Sequence, residues 1–179
     1  MSISQSALST AYPTLMAYFD LSATTVQWLT TGFMLVMCVM MPISPWLLNN
    51  IPFKRLYMGI LSLFTIGTLL IVFANQFGWV LFGRALEAIA VGVLFPSFQT
   101  VLLTITAENQ RGQIMGLAGL VMGSALACGP IISGIILNYF SWRGLFIAFI
   151  LIILTVLATA NFTISDVMPA KPYHLDGLS

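Results

Sequence analysis

Charged side chains are scarce in this chain. Its 179 residues include six Lys or Arg and five Asp or Glu, so 6% of the sequence is charged, against about 25% in soluble domains. Hydrophobic residues make up 59%, and the mean hydropathy is +1.02. So few polar side chains cannot cover a water-soluble globule, which leaves a polytopic membrane protein surrounded by a lipid bilayer. A net charge of +1 without a basic tract gives no reason to expect a nucleic-acid partner.

Cysteine is also rare, and the residues that carry enzyme chemistry are not grouped. Cys38 and Cys128 both fall in apolar runs, so the sequence indicates neither a disulfide framework nor a metal site. It shows no phosphate-binding loop, nucleophile triad or metal cluster, and we therefore expect no enzyme, no metal and no cofactor. Because no Lys or Arg precedes the first apolar stretch, the N-terminus does not have the form of a secretory signal peptide.

Apolar runs, in contrast, fill most of the chain. Five stretches come close to the ~20 residues that a helix needs to cross a bilayer. They lie at 26–48, 56–76, 79–104, 112–138 and 142–164. Residues 2–19 are apolar but diluted by Ser, Thr and Gln, which predicts an incomplete first span. Since open strands cannot exist in lipid, we expect an all-α polytopic membrane helix bundle over residues 1–165, with six transmembrane helices of which the first is incomplete.

The basic residues predict the orientation of the bundle. Those that share one side are Lys54, Arg55, Arg111 and Lys171. Only Arg143 lies in a connection on the other side. Positively charged connections stay in the cytoplasm, so residues 166–179 are expected there as a loose tail of a multi-pass protein in a bacterial plasma membrane. Trp28, Trp79 and Trp142 begin spans at the opposite face, as in an aromatic belt at the membrane interface.

The stretch GRALEAIAVG, residues 83–92, places Arg84 and Glu87 inside an otherwise apolar run. An unpaired charge at mid-bilayer costs ~2.5–3.5 kcal/mol on insertion scales. Three residues apart on a helix, the two side chains share a face and can neutralise each other. One interpretation is a compensated pair that points into the bundle and specifies packing, and the nearby guanidinium favours it because it opposes protonation of the carboxylate. The other is that Glu87 takes up and releases a proton while Arg84 holds it ionised between these events.

Glycine is concentrated in the fifth span. Six of the chain's 14 glycines fall within residues 112–134. Two pairs have the four-residue spacing that lets helix backbones approach closely, namely Gly112/Gly116 and Gly119/Gly123. Gly129 and Pro130 follow, and the proline removes a backbone donor and favours a bend. Tight helix packing with a kink is the simplest interpretation of this span.

Four stretches together carry a family resemblance: GSALACGPIISG, GRALEAIAVG, SATTVQWLTTGFML and SWRGLF. With them the chain resembles the major facilitator superfamily, and within it the N-terminal half of the fourteen-helix drug:proton antiporters of the multidrug efflux type. The first stretch is similar to the fifth-helix antiporter signature, with matching positions at Gly123, Gly129, Pro130 and Gly134. The second is similar to the fourth-helix signature, with Arg84 at its buried arginine and Gly92 at its closing glycine.

The resemblance implies half of a major facilitator fold. It also implies secondary, proton-coupled export of drugs or other hydrophobic or amphipathic small molecules by alternating access. Arg84 and Glu87 are then the candidates for proton coupling, although the signature usually has glutamine at position 87. The implied partners are such a substrate, the proton, and a second six- or eight-helix half or a second copy of this chain, because the transport site lies between two halves.

Two segments depart from the family's pattern. The family's loop between helices two and three has a glycine, an Asp-Arg pair, another glycine and a basic cluster. Here the stretch PWLLNNIPFKRL has Pro45 and Pro52 at the glycine positions and Asn49-Asn50 at the charged pair. Only Lys54 and Arg55 keep the basic character, so we expect the charge-dependent latch of this loop to be missing. In helix one, Ser4 stands where an aspartate is common, which removes a titratable carboxyl group.

The sequence supplies one of the two halves that such a transporter uses, and two functions therefore stay open. In the first, the chain exports small molecules together with a second polypeptide or as a homodimer. In the second, it is a non-transporting truncated remnant, or a membrane interaction partner whose exposed half-interface binds another protein.

Overall fold

The computed structural model describes the backbone of residues 2–163 and the side chains of residues 6–160. Its helices are α1 (Ser2–Phe19), α2 (Ala23–Met40), α3 (Ser44–Asn50), α4 (Phe53–Val72), α5 (Phe77–Ile105), α6 (Arg111–Tyr139) and α7 (Trp142–Thr163). The described residues form no strand. Five helical stretches are long and apolar enough to cross a membrane, and one of them joins α2 and α3. This confirms the predicted all-α membrane bundle, while the expected tail at 166–179 lies outside the described residues.

The helix ends follow from local sequence. Asp20 adopts a left-handed conformation with φ 52°, and the Leu21 N–H donates to the Met16 carbonyl at 3.1 Å, which closes the C-terminus of α1. Ser22 then begins α2 as its N-cap, because its side chain accepts from the Thr25 N–H at 3.3 Å. A 3-10 turn at Met41–Ile43 joins α2 to α3, so the predicted span 26–48 is bent locally and extends over Ala23–Asn50.

Lys54 and Arg55 do not lie in a loop, contrary to the sequence prediction. Pro52 is the N-cap residue of α4, and both basic residues fall in the first turn of that helix. The cause is Pro52, which follows an extended residue and whose fixed φ, here −53°, suits the start of a helix. Arg111 is likewise the first residue of α6 and not part of a connection.

Helix α5 has neighbours on more than one side. It packs along α4 and α2 and also contacts α3. On the other side, α1 packs along α6, and α4 packs against α7. Helix α5 is apolar on most of its circumference, as expected for a helix with neighbours on several sides. The site residues at positions 84 and 87 therefore sit on a helix that packs against both α4 and α2.

Close backbone approaches occur at glycines of α4 and α5. A Cβ atom at Gly67 would lie 2.7 Å from the Gly83 carbonyl oxygen, and one at Gly83 would lie 2.6 Å from the Gly67 carbonyl oxygen. At Gly92, a Cβ atom would lie 2.7 Å from the Met37 carbonyl oxygen of α2. These glycines let α5 touch the backbones of both neighbours, as small residues do in membrane bundles.

The glycines of α6 do not play the packing role that their spacing predicted. A Cβ atom at any of Gly112, Gly116, Gly119, Gly123 and Gly134 would have no neighbour within 4 Å among the described residues. The close helix contact that their spacing predicted is therefore not formed among the described residues, because these positions face outward from α6. Spacing alone cannot tell which neighbour a glycine faces, or whether the neighbour belongs to the same chain.

Arg143 fastens three helix ends at one end of the bundle. Its Nη2 donates to the Ala74 carbonyl oxygen after α4 at 3.0 Å and to the Tyr18 hydroxyl of α1 at 3.2 Å. The preceding Trp142 is only 2% exposed and packs against Phe19. The expectation that Trp142 belongs to a membrane-facing belt is therefore wrong, since its ring fills the core between the helix ends. The other two tryptophans of that face, Trp28 and Trp79, are 54% and 53% exposed.

Candidate functional site

Arg84 and Glu87 form the buried ion pair that their spacing predicted. The Arg84 Nη1 lies 2.5 Å from the Glu87 Oε2, and the two residues are 1% and 0% exposed. Both point from α5 into the bundle, which confirms the prediction that they share one helical face. Enclosure inside the bundle keeps the two charges away from lipid, where an isolated charge would be costly.

Thr68 of α4 completes the cluster around the carboxylate. Its Oγ1 lies 2.7 Å from the Glu87 Oε1, so each carboxylate oxygen has a partner. The same hydroxyl lies 2.9 Å from the Phe64 carbonyl oxygen of its own helix. The neighbouring crossing at Gly67 allows this contact, because a Cβ atom there would lie 3.1 Å from the Glu87 Cγ. We name Arg84, Glu87 and Thr68 the buried charge cluster.

The guanidinium of Arg84 has an aromatic neighbour on α2. Its Cζ lies 4.2 Å from the centre of the Phe33 ring, a cation–π distance that stabilises a desolvated cation. The Arg84 Nε and Nη2 are buried and have no hydrogen-bond partner among the described residues. An arginine with free donors beside a fixed carboxylate can exchange partners without leaving the core. The cluster can therefore hold a proton or a polar group at an enclosed position.

A second polar contact joins helices toward the other end of α5. Ser44 and Ser97 are 0% and 1% exposed, and their hydroxyl oxygens lie 3.0 Å apart. Both hydroxyl oxygens also lie within hydrogen-bond distance of the Val93 carbonyl oxygen, at 3.0 and 2.7 Å, so one serine donates to that carbonyl while the other donates either to it or to its partner hydroxyl. This contact ties α3 to α5 next to Pro96, whose ring removes one helical hydrogen bond. It carries no charge and has the form of a structural link.

The predicted fifth-helix residues lie apart from the buried charge cluster. Gly129 and Ser133 are the buried positions of α6, which packs against α1, whereas Gly123, Pro130 and Gly134 are exposed. Pro130 stays inside one continuous helix, and the Ser133 hydroxyl donates to its carbonyl oxygen at 3.1 Å. The structure thus does not bring this signature together with Arg84 and Glu87.

Lys54 and Arg55 are also remote from the cluster. They begin α4, thirteen or more positions before Thr68, which is about 20 Å along a helix. The Asn49-Asn50 pair ends α3, and the Asn50 side chain donates to the Trp46 carbonyl oxygen at 2.8 Å. That the helix 2–3 loop lacks a latch remains a prediction. Within the part of the chain that the structure describes, no group of three His, Cys, Asp or Glu side chains could hold a metal ion.

Sequence reasoning found the ion pair and missed Thr68. The pair is local, since residues three apart on a helix are neighbours whatever surrounds them. Thr68 lies nineteen positions away on another helix, so its contact depends on how α4 and α5 are rotated against each other. The usable signal was the coincidence of small residues, because Gly67-Thr68 and Gly83-Arg84 place a polar residue directly after a glycine on both helices.

Comparison with known proteins agrees with this architecture. The family model described as Major Facilitator Superfamily matches residues 1–175. The uncharacterized MFS-type transporter YhcA of Bacillus subtilis is 38% identical over 176 residues, which cover 98% of this chain and 33% of YhcA. The lincomycin resistance protein LmrB of Listeria monocytogenes is 36% identical over 143 residues, which cover 80% of this chain and 30% of LmrB.

A third relative carries a different name. The riboflavin transporter RibZ of Clostridioides difficile is 31% identical over 142 residues, which cover 79% of this chain and 31% of RibZ. The chain spans about a third of the length of these relatives, so it corresponds to one part of each. With a family match over nearly its whole length and a bundle of membrane-crossing helices, this membrane protein belongs to the major facilitator superfamily.

Proposed function

We propose that this chain forms one six-helix half of a transporter that exports hydrophobic or amphipathic small molecules in exchange for protons, with Arg84 and Glu87 as the coupling pair. The observation that carries the proposal is the fully buried ion pair on α5, enclosed within a membrane bundle. Ionisable residues inside membrane bundles are costly, and they commonly mark the path of an ion, a proton or a substrate.

The relatives support the class of cargo. One is named for lincomycin resistance and another for riboflavin transport, and both names refer to the movement of, or protection from, small organic compounds. Apolar side chains such as Met34 and Leu35 are exposed on α2 and would suit cargo with an apolar surface. Export, proton exchange and the identity of the cargo are the parts of the proposal that need a transport assay.

The partner in this proposal is a second half that covers α6 and the α2–α3 span. Only 11% of the most apolar window in each of these spans is buried, against 28–39% in the other three. The outward face of α6 carries the open glycines and a groove of about 710 Å³ next to Gly112 and Gly116. A helix of the second half could approach this glycine face closely. We assign the face to that half, whether it is part of the same polypeptide or a separate one.

The location proposed is a bacterial plasma membrane, with the α3–α4 and α5–α6 connections in the cytoplasm. Lys54 and Arg55 begin α4 and Arg111 begins α6, so all three lie at the same end of the bundle. Arg143 lies at the opposite end, after α6. The excess of positive charge at one end supports this orientation through the positive-inside rule.

A chimeric transporter tests the proposal. This chain replaces the matching part of the lincomycin resistance protein LmrB of Listeria monocytogenes, and the chimera is expressed in a lincomycin-sensitive bacterium. In everted membrane vesicles with an imposed pH gradient, we expect added lincomycin to dissipate the gradient, as proton antiport requires. Glu87→Gln should abolish this response at an unchanged amount of protein in the membrane, because the amide cannot carry the proton.

Two other outcomes contradict parts of the proposal. If the Glu87→Gln chimera still exchanges protons for lincomycin, the pair is structural and another group carries the proton. If the chimera is inert while intact LmrB is active, this chain is not a competent half. That result would favour the second function, a non-transporting remnant or interaction partner.

A further inference from the structure

The hydroxyl of Thr68 has two acceptors and only one proton. Its Oγ1 lies 2.7 Å from the Glu87 Oε1 and 2.9 Å from the Phe64 carbonyl oxygen. A threonine hydroxyl donates one hydrogen bond and can accept two. With an ionised Glu87, which can only accept, the hydroxyl must choose between the two oxygens. Thr68 and Glu87 are both 0% exposed, so every atom involved is enclosed by protein.

Two hydrogen-bond arrangements fit these distances. With Glu87 ionised, Thr68 donates to the Oε1, and the Phe64 carbonyl keeps the N–H that a helical carbonyl receives from four residues later. With Glu87 protonated on Oε1, the acid donates to Thr68, whose hydroxyl turns and donates to the Phe64 carbonyl. In both arrangements the Arg84 Nη1 donates to the Oε2. Each carboxyl oxygen keeps a partner, and only hydrogen atoms move.

We propose that Thr68 is the positioning residue that allows Glu87 to hold and to release a proton inside the bundle, by reversing its hydroxyl from donor to acceptor. This deepens the coupling role given to Glu87 above and rests on that proposed function. A buried polar atom without a partner costs about 1–3 kcal/mol, so a site that changes its protonation state needs a neighbour that can both donate and accept. A hydroxyl meets this requirement, whereas Arg84 can only donate.

Among the described neighbours of the Glu87 carboxylate, the Thr68 hydroxyl is the one that can both donate and accept a hydrogen bond. Around Glu87 the charged and titratable groups of the described residues are Arg84 on α5 itself and Tyr12 of α1, which interacts electrostatically with Arg84. Helix α4 contributes Gly67 and Thr68, and its own cations Lys54 and Arg55 lie about 20 Å away at its start. Helix α2 contributes the uncharged Phe33 ring against the guanidinium. The close approach at Gly67 brings the Glu87 side chain against α4, so its carboxyl group already lies beside the Thr68 hydroxyl and rotation of that hydroxyl can accommodate a proton.

The composition of the chain permits a direct test. It contains only two glutamates, Glu87 and Glu108, and the Glu108 side chain is 89% exposed. We would label the full chain with glutamate carrying ¹³C in its side-chain carboxyl, replace Glu108 by Gln, and reconstitute the protein in lipid nanodiscs. The ¹³C resonance then reports Glu87 alone, and it is followed from about pH 4 to about pH 10, a range that starts near the ordinary pKa of a glutamate and extends well above it.

The variants separate the hydroxyl from the rest of the side chain. Thr68→Val removes the hydroxyl and keeps the shape, while Thr68→Ser keeps the hydroxyl. Thr65→Val is the matched control, because Thr65 lies on the same helix and donates to the Leu61 carbonyl oxygen at 2.7 Å. This bond is of the same type as the bond from Thr68 to the Phe64 carbonyl oxygen, and Thr65 lies about one turn before Thr68 on α4.

We expect Glu87 to move between two resonance positions in the parent chain, in Thr68→Ser and in Thr65→Val with the same midpoint. Thr68→Val should shift both positions and move the midpoint by about one pH unit or more, since a hydrogen bond to a charged group is lost. The proposal is overturned if Thr68→Val titrates like the parent, or if the parent resonance stays in one state throughout.

A second measurement needs no variant. At the acidic end of the titration, the infrared carbonyl band of Glu87 should be that of a hydrogen-bonded carboxylic acid, and it should shift in heavy water. The band of a carboxylic acid without a hydrogen bond would overturn the proposal. This result can be obtained even if Thr68→Val fails to assemble. The titration uses no substrate, so it stands apart from the transport assay. Suppose that Glu87 titrates through Thr68 in this chain, but that Glu87→Gln does not change transport by the chimera. The proposed coupling role would then be wrong, and this inference would still hold.

Discussion

Arg84 is held inside the bundle by two contacts of different kinds. Its Nη1 pairs with the Glu87 carboxylate, and its guanidinium lies over the Phe33 ring, while two of its nitrogens stay unpartnered among the described residues. The pair offsets the charge that each partner would otherwise leave uncompensated in a low-dielectric core. Arg84 and Glu87 therefore depend on each other more than either depends on the surrounding helices.

This mutual dependence predicts a strongly non-additive double-mutant cycle. Arg84→Met and Glu87→Met should each lower the free energy of unfolding by about 3–5 kcal/mol, because each leaves a buried charge alone. The double variant should lose less than either single variant, since it leaves no charge behind. Unfolding by SDS in mixed micelles, followed by circular dichroism, measures all four proteins. Additive losses would show that the two side chains act independently.

At the scale of single residues, local spacing predicted contacts between side chains of the same helix, but it predicted no contact between different helices. The Arg84–Glu87 pair and its inward direction could be derived from three positions of one sequence. Thr68 and Phe33 could not, because their contacts depend on the crossing of α4 and α2 with α5. Trp142 shows the same limit: its place at a span start predicted a membrane-facing ring, and the folded chain buries it.

Between elements, the contact of α4 with α5 positions the buried charge cluster. Gly67 and Gly83 bring the two backbones together immediately before Thr68 and Arg84. A side chain at either glycine would meet a carbonyl oxygen of the opposite backbone, which cannot move aside as a flexible side chain can. The crossing distance, and with it the Thr68–Glu87 hydrogen bond, therefore depends on both positions being glycine, which has a hydrogen atom where alanine has a methyl group.

Gly67→Ala tests this crossing against a control on the same helix. We expect it to cost about 1–3 kcal/mol through overpacking, and to weaken the Thr68–Glu87 contact as α4 moves away. Gly59→Ala should be neutral or stabilising by up to about 1 kcal/mol, because its Cβ meets nothing within 4 Å and alanine favours helix. Melting temperatures in lipid nanodiscs compare the two. Equal effects of both substitutions would contradict the close approach.

The hydrogen bonds by which Arg143 joins three helix ends give a second prediction about how the helices are held together. Arg143→Met removes the hydrogen bonds to Ala74 and Tyr18 that join the ends of α4, α1 and α7, and it should cost about 1–3 kcal/mol. Arg111→Gln is the control. Its pairing with Glu108 spans 3.6 Å between exposed side chains, so losing it should cost less than about 1 kcal/mol. If both variants melt alike, Arg143 does not hold the helix ends together.

Over the whole molecule, composition and apolar runs predicted the class and the helix count well. The scarcity of charge required a membrane bundle, and the described helices begin and end within a few residues of the predicted spans. What composition could not supply is the role of α6. Its glycines predicted tight packing, yet they face outward, because a pattern of small residues does not say which chain or which half provides the neighbour.

The open α6 and the buried charge cluster are the two features on which the proposal of a half-transporter rests. In this proposal the outward faces of α6 and α2 would be covered by a second half, and α5 holds the ionisable group inside the bundle. In this account the cluster supplies coupling and the exposed spans supply assembly. Both parts are needed before cargo can move, because the transport site of this architecture lies between the halves.

The most direct test of this account is the accumulation of radiolabelled lincomycin in cells. Three strains are compared at equal membrane protein levels: one with the chimera of this chain and LmrB, one with the LmrB remainder alone, and one with intact LmrB. We predict that the chimera lowers lincomycin accumulation toward the level of intact LmrB, and that a protonophore restores it. Accumulation in the chimera strain equal to that with the remainder alone would contradict the claim that this chain is a working half of a proton-coupled exporter.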